Sequence, residues 1–134
     1  MGRKSAASAL RRQRLGGGEI EISNTALECI DRPKFLVDVP EAYGLMITEH
    51  SMCPAFRPGD TAWVHPRLPP ILDTEVVISQ RSSADAPARA VVCSLLTITS
   101  TNWGVQRINP RAEFSLARAA WPRCERIIGK LARC

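Results

Sequence analysis

Lysine is almost missing from this chain: three among 134 residues, at Lys4, Lys34 and Lys130. Aromatic side chains are also few, at 5%, so any core must be built mainly from aliphatic residues. There is no Cys-x-x-Cys. The five cysteines (Cys29, Cys53, Cys93, Cys124 and Cys134) stand far apart and are odd in number, which excludes a zinc-ligand pattern and argues against a disulfide framework. A reducing cytoplasm is the expected compartment. No apolar run approaches the ~20 residues needed to span a bilayer, and no apolar stretch follows the charged N-terminus as a secretory signal requires. The expectation is a chain without membrane contact, metal or cofactor.

Charge is unevenly placed. Five of the 18 basic side chains, and none of the 13 acidic ones, fall in the first fourteen residues, so from Leu15 onward the two signs balance. The net charge of +5 therefore belongs to the lead-in "MGRKSAASALRRQRLGGG" and not to the body. Residues 1–18 read as a basic, flexible tail, with a brief helix over Ala6 to Leu15 ended by the glycines. Residues 19–134 read as one domain of ordinary size.

Ten prolines and eight glycines punctuate short apolar runs, a pattern of strands and turns. "EIEIS" (19–23) alternates as a half-exposed strand does. "YGLMIT", "TAWVH", "EVVIS", "AVVCSLLTI", "NWGVQRI" and "ERIIGKLA" are further strand candidates. "IDRPKFLVDVPEA" is irregular because two prolines interrupt it. "RSSADAPAR" is a polar loop, and "AEFSLARAAW" fits a helix or short strands equally. Six or seven short strands at this spacing predict an all-β, mostly antiparallel, partly closed domain.

The stretch "TEHSMCPAFRPGD" (48–60) places Ser51 after a strand, at the start of one helical turn, ahead of an Arg-Pro-Gly-Asp turn. In such a place the hydroxyl is exposed, and the backbone N–H groups of Ser51 and Met52 could stabilise an oxyanion. Serine is equally a preferred N-cap, and Pro54 suits the first turn, so a purely structural role explains the local pattern as well.

"HSMCPAFRPGDTAWVHP" resembles the Ser-Met-x-Pro…Gly-Asp signature of the LexA-like, UmuD-like and phage-repressor-like self-cleaving serine peptidases. "VDVPEAYGLMI" upstream is similar to the segment that leads into the nucleophile. "WGVQRINP" and "AAWPRCERIIGKL" resemble the downstream and closing strands of the phage-repressor branch. The likeness runs over roughly residues 16 to 134. It implies a strongly twisted β-sheet domain of the LexA/signal-peptidase type, with Ser51 as nucleophile and a buried lysine as its base. A lysine in an apolar strand loses its proton readily, and the neutral amine can then accept the serine proton. The resemblance further implies a homodimer joined through the closing strands, and self-cleavage upstream of the domain, triggered by a recombinase filament on single-stranded DNA. DNA contact is expected only through a separate or missing N-terminal domain.

The chain departs from that pattern at the base. The lysine is expected about forty residues after Ser51, in a run that here reads "ARAVVCSLL", and by its flanks Cys93 occupies the lysine position. Arg89 nearby stays protonated and cannot serve. His50, His65 and Lys34 are weak substitutes, and Cys93 itself reads as a small hydrophobe. Glu49-His50 also replaces the Gly-Asp that commonly precedes Ser-Met. The candidate self-cleavage site is Gly16-Gly17, which reads equally as a plain linker. Self-cleavage is thus expected to be impaired or absent, leaving a regulatory, dimerising module; the competing expectation is an active peptidase cutting near Gly16-Gly17.

Overall fold

Continuous runs of β-branched residues, too short for helices and bracketed by turn residues, become the strands of this protein. A computed structural model describes residues 6–14, 19–31, 33–36, 38–48, 50–80 and 88–132, with the first two segments described as backbone. Among the described residues nine strands form: β1 (Ala6–Arg14), β2 (Glu19–Asp31), β3 (Tyr43–Met46), β4 (Thr61–His65), β5 (Glu75–Ser79), β6 (Ala88–Ile98), β7 (Asn102–Ile108), β8 (Arg111–Ala117) and β9 (Arg123–Leu131). The described residues contain no α-helix; Lys34–Leu36 makes a single 3-10 turn. No helix among them is long and apolar enough to cross a membrane.

Strands β3 to β9 form an antiparallel sheet in the order β3-β4-β9-β5-β6-β7-β8, not closed into a barrel. The all-β, mostly antiparallel class expected from the sequence is therefore the observed one. The lead-in contains a strand where a brief helix was expected. Residues 6–14 pair antiparallel with β2 and, at Ala9 and Leu10, parallel with Gly44 and Leu45 of β3. Nine residues nucleate a helix poorly, whereas pairing on both sides satisfies the backbone at once. The start of β2 continues onto β6, with Glu19 opposite Val91 and Ile22 opposite Ala88.

The ambiguous "AEFSLARAAW" resolves into β8 and a turn. Ala112, Phe114 and Leu116 recur every second residue, and all seven residues of β8 pair with β7 without a register break. After Ala117 the chain closes one turn, Trp121 N–H donating to Ala117 O at 2.8 Å. Trp103 Nε1 then donates to Trp121 O at 2.8 Å and locks this turn onto β7.

Two apolar clusters lie on opposite faces of the central strands. Val77 of β5 and Ala90 and Val92 of β6 join a first cluster with Tyr43, Leu45, Met52 and Phe56. Val76, Ile78, Val91, Cys93 and Leu95, at the alternate positions, join a second with Trp103, Val105, Leu116 and Trp121. This is the two-residue period of a strand covered on both faces, and it explains why "EVVIS" and "AVVCSLL" read as unbroken apolar runs.

Candidate site at the Ser51 turn

The Ser51 turn bridges β3 and β4 and is sealed at its base by backbone bonds. Gly59 N–H donates to Ile47 O at 2.7 Å and Ile47 N–H to Asp60 O at 2.8 Å. Gly59 has φ 98°, a conformation that other residues adopt only with strain, so the Pro-Gly-Asp sequence is required by the bend. Within the turn, Cys53 N–H donates to His50 O at 3.0 Å and Phe56 N–H to Met52 O at 2.9 Å. The stretch "SMCPAF" is thus a hydrogen-bonded turn and not the helical turn expected, with a cis peptide bond between Cys53 and Pro54. Asp60, buried at 4% exposure, accepts from Arg57 N–H at 3.0 Å through its carboxylate.

Ser51 itself is buried, and its carbonyl accepts two bonds, from Ile108 N–H at 3.0 Å and Asn109 N–H at 2.8 Å. Asn109 Nδ2 also donates to His50 O at 3.2 Å. The β7–β8 hairpin tip, far along the chain, therefore clasps the backbone at His50 and Ser51. Met52 beside it fills the first apolar cluster.

A lysine does reach this turn, though not from the strand expected. Lys130 of β9 donates to Ala55 O at 2.7 Å, stands 3.8 Å from Asp60 Oδ2, and lies 5.7 Å from the Phe56 ring centre. Its ammonium spends its bonds on a carbonyl and a carboxylate of the turn, so Lys130 ties the turn to β9. The sequence carried no local signal for Lys130 or Asn109, because both reach the Ser51 turn only through strand pairing.

Cys93 lies in the middle of β6, opposite Val76, fully buried in the second cluster. Burial pushes its thiol far above the ordinary value of 9.0, and nearby Cys124 adds to the rise. Cys124 is pushed up to about 12, by burial first and then by the Glu125 carboxylate, with Arg118 acting the other way. Neither thiol gives up its proton near neutral pH. The β6 residues on the Met52 side are Ala90 and Val92, and neither can ionise. Whichever of these positions a base would take, none is there.

The other sequence candidates scatter. His50 is exposed at the start of the turn, and Cys53 is half-buried within it. His65 is half-buried at the end of β4, where Nδ1 accepts from Arg67 N–H at 3.3 Å. Lys34 is exposed on the 3-10 turn and Arg89 is exposed on β6. Gly16, Gly17 and Glu49 lie outside the described residues. The strands that flank the glycines are described: β1 ends at Arg14, and β2 begins at Glu19 paired with Val91, two residues from Cys93. Among the described residues no group of three or more His, Cys, Asp or Glu is placed to hold a metal ion.

A second buried polar group lies apart from the Ser51 turn. Tyr43 donates its hydroxyl to Glu125 at 2.5 Å, and Arg123 Nε stands 3.7 Å from the other oxygen of that carboxylate. Glu125 is 3% exposed, so these partners offset the cost of burying its charge.

No family model matches the chain. The chain is similar to Repressor protein C of Rhizobium phage 16-3, with 36% identity over 104 residues that cover 75% of this chain. It spans about 40% of the length of that relative. A repressor relative and an antiparallel all-β sheet together fit a phage-repressor-like domain.

Proposed function

We propose that this chain is the C-terminal-type regulatory domain of a LexA/phage-repressor-like protein, which pairs two copies and serves stress-linked control of transcription in the cytoplasm. Its self-cleaving serine–lysine chemistry is impaired. The observation that carries the reading is the buried neutral thiol of Cys93, with non-ionisable Ala90 and Val92 beside it, in the strand to which the resemblance assigns the base. A general base contributes about 10²–10⁴-fold, and a serine hydroxyl without one is a poor nucleophile at neutral pH. The similarity to Repressor protein C supports the regulatory role. DNA contact is assigned to a separate N-terminal domain, and the trigger to a recombinase filament on single-stranded DNA.

One observation favours a second reading, an active peptidase that cuts at Gly16-Gly17 with Ser51 as nucleophile. The described strands before and after those glycines, β1 and β2, pair with β3 and β6 of the sheet that carries the turn. Intact-mass spectrometry of the purified chain during long incubation at neutral and alkaline pH, beside Ser51→Ala, separates the two. The regulatory reading expects an unchanged mass in both proteins. A break after Gly16 that Ser51→Ala abolishes would establish the peptidase.

A further inference from the structure

Across β6, β7 and β8 the sheet sets three small residues side by side. A register shift between Leu95 and Thr97 brings Thr97 opposite Gly104, and Gly104 lies opposite Ser115. Thr97 leans over the glycine, where a Cβ would overlap its Oγ1, so the close approach requires a residue without a side chain. The row leaves an open cavity of about 260 Å³, walled by Leu96 and Glu113 and lined by no residue of the Ser51 turn. It opens on the face opposite Trp103 and Leu116, which fill the second cluster. Glu113 is exposed there and forms no ion pair among the described residues. The cations of this hairpin are engaged elsewhere. Arg111 donates to the side-chain oxygen of Gln106 from Nε at 2.9 Å and from Nη2 at 3.2 Å. Arg107 and Arg118 lie over the rings of Phe114 and Trp103, on the other face.

We infer that this cavity is a binding site for an arginine side chain of a partner protein, its guanidinium seated between Glu113 and the hydroxyls of Thr97 and Ser115. The complementarity is chemical. A carboxylate accepts two parallel bonds from a guanidinium, and the hydroxyl oxygens can accept from the donors that remain. The glycine floor lets a flat group lie close to the backbone. Half-buried Leu96 offers an apolar wall to the methylene stem behind the charge. A lysine ammonium matches the site less well, because it is a compact, strongly hydrated point charge without a planar fork. Glu113 is open to water and salt, so a single side chain binds weakly, with a dissociation constant of about 1–10 mM. The site depends neither on the chemistry of Ser51 nor on the pairing of two copies.

The probe is the peptide acetyl-Gly-Arg-Gly-amide, titrated into the isotope-labelled chain and followed by the NMR shifts of its backbone amides. Counterparts with lysine or citrulline in place of arginine are run beside it; citrulline keeps the shape of arginine and lacks its charge. The arginine peptide is expected to shift the amides of Leu96, Gly104 and Ser115 and to saturate at millimolar concentration, and the citrulline peptide to leave them unmoved. Glu113→Gln should weaken the arginine peptide about tenfold, and Thr97→Val about threefold. Both positions are exposed, so the fold is not at risk, and thermal melts of each variant confirm it. No saturable shift at these amides would overturn the site. An affinity unchanged by Glu113→Gln, or an equal response to citrulline, would overturn the role of the carboxylate and the inference with it. An equal response to lysine would overturn the assignment to arginine.

Discussion

Placing a lysine back into β6 tests how the strand faces the Ser51 turn. Val92 and Cys93 are neighbours, 2% and 0% exposed, yet they enter opposite apolar clusters, and only the cluster of Val92 contains Met52. Val92→Lys is therefore expected to bring an amine to the Ser51 side, and Cys93→Lys to bury one among Trp103, Trp121 and Leu95. Either lysine must be neutral when buried. From an ordinary value near 10.4, holding it neutral at pH 7 costs about 4–5 kcal/mol, a large part of a total stability of about 5–15 kcal/mol. The folded-state value is depressed, so the penalty is greatest at low pH and shrinks by about 1.4 kcal/mol per unit as pH rises, to about 2 kcal/mol at pH 9. Incubation at pH 9 with intact-mass detection is thus the assay, and Ser51→Ala in each background is the control. We expect Val92→Lys to yield slow, Ser51-dependent cleavage on the scale of the 10²–10⁴-fold that a general base supplies. Cys93→Lys should yield none. Cleavage by Cys93→Lys but not by Val92→Lys would refute the face assignment. Folded but inert proteins in both cases would refute Ser51 as a nucleophile that lacks only its base.

Three further outcomes follow from the same contacts. Cys93 stays protonated in the folded chain but ionises from its ordinary value of 9.0 when unfolded, so its contribution is present below pH 9 and lost above it. The unfolding free energy from denaturant titrations should therefore fall by about 1.4 kcal/mol per pH unit above 9 for each of the two buried thiols, Cys93 and Cys124, and Cys93→Val should remove its half of that slope. Gly59→Ala forces a Cβ into φ 98° and should cost about 1–2 kcal/mol, read by thermal denaturation. Tyr43→Phe removes the 2.5 Å donor to the buried Glu125 carboxylate and should cost about 1–3 kcal/mol. Glu125→Gln in that background should recover part of the loss.

Much of the strand content was legible because apolar runs bounded by proline and glycine are a local signal. "TAWVH", "EVVIS", "AVVCSLLTI" and "NWGVQRI" became β4 to β7. The turn at Ser51 was legible for the same reason, since Pro-Gly-Asp names its own bend. Residues 6–14 were misjudged because a strand with neighbours on both sides needs no periodicity of its own. The "AEFSLARAAW" stretch stayed open because alanine-rich alternation satisfies both periods, and only the seven-residue ladder to β7 decided it.

The sequence by itself determined that the chain is an all-β protein with a serine on a rigid turn and no lysine in the strand where a base is expected. Those facts depend on residue identity and on patterns a few residues long. Tertiary structure alone decided that Cys93 and Val92 face opposite clusters, and that Asn109 and Lys130 clasp the Ser51 turn. It also placed β9 between β4 and β5. Strand order and register arise from contacts between residues tens of positions apart. A local pattern can require that a strand be buried on both faces, but not which neighbour each face will meet.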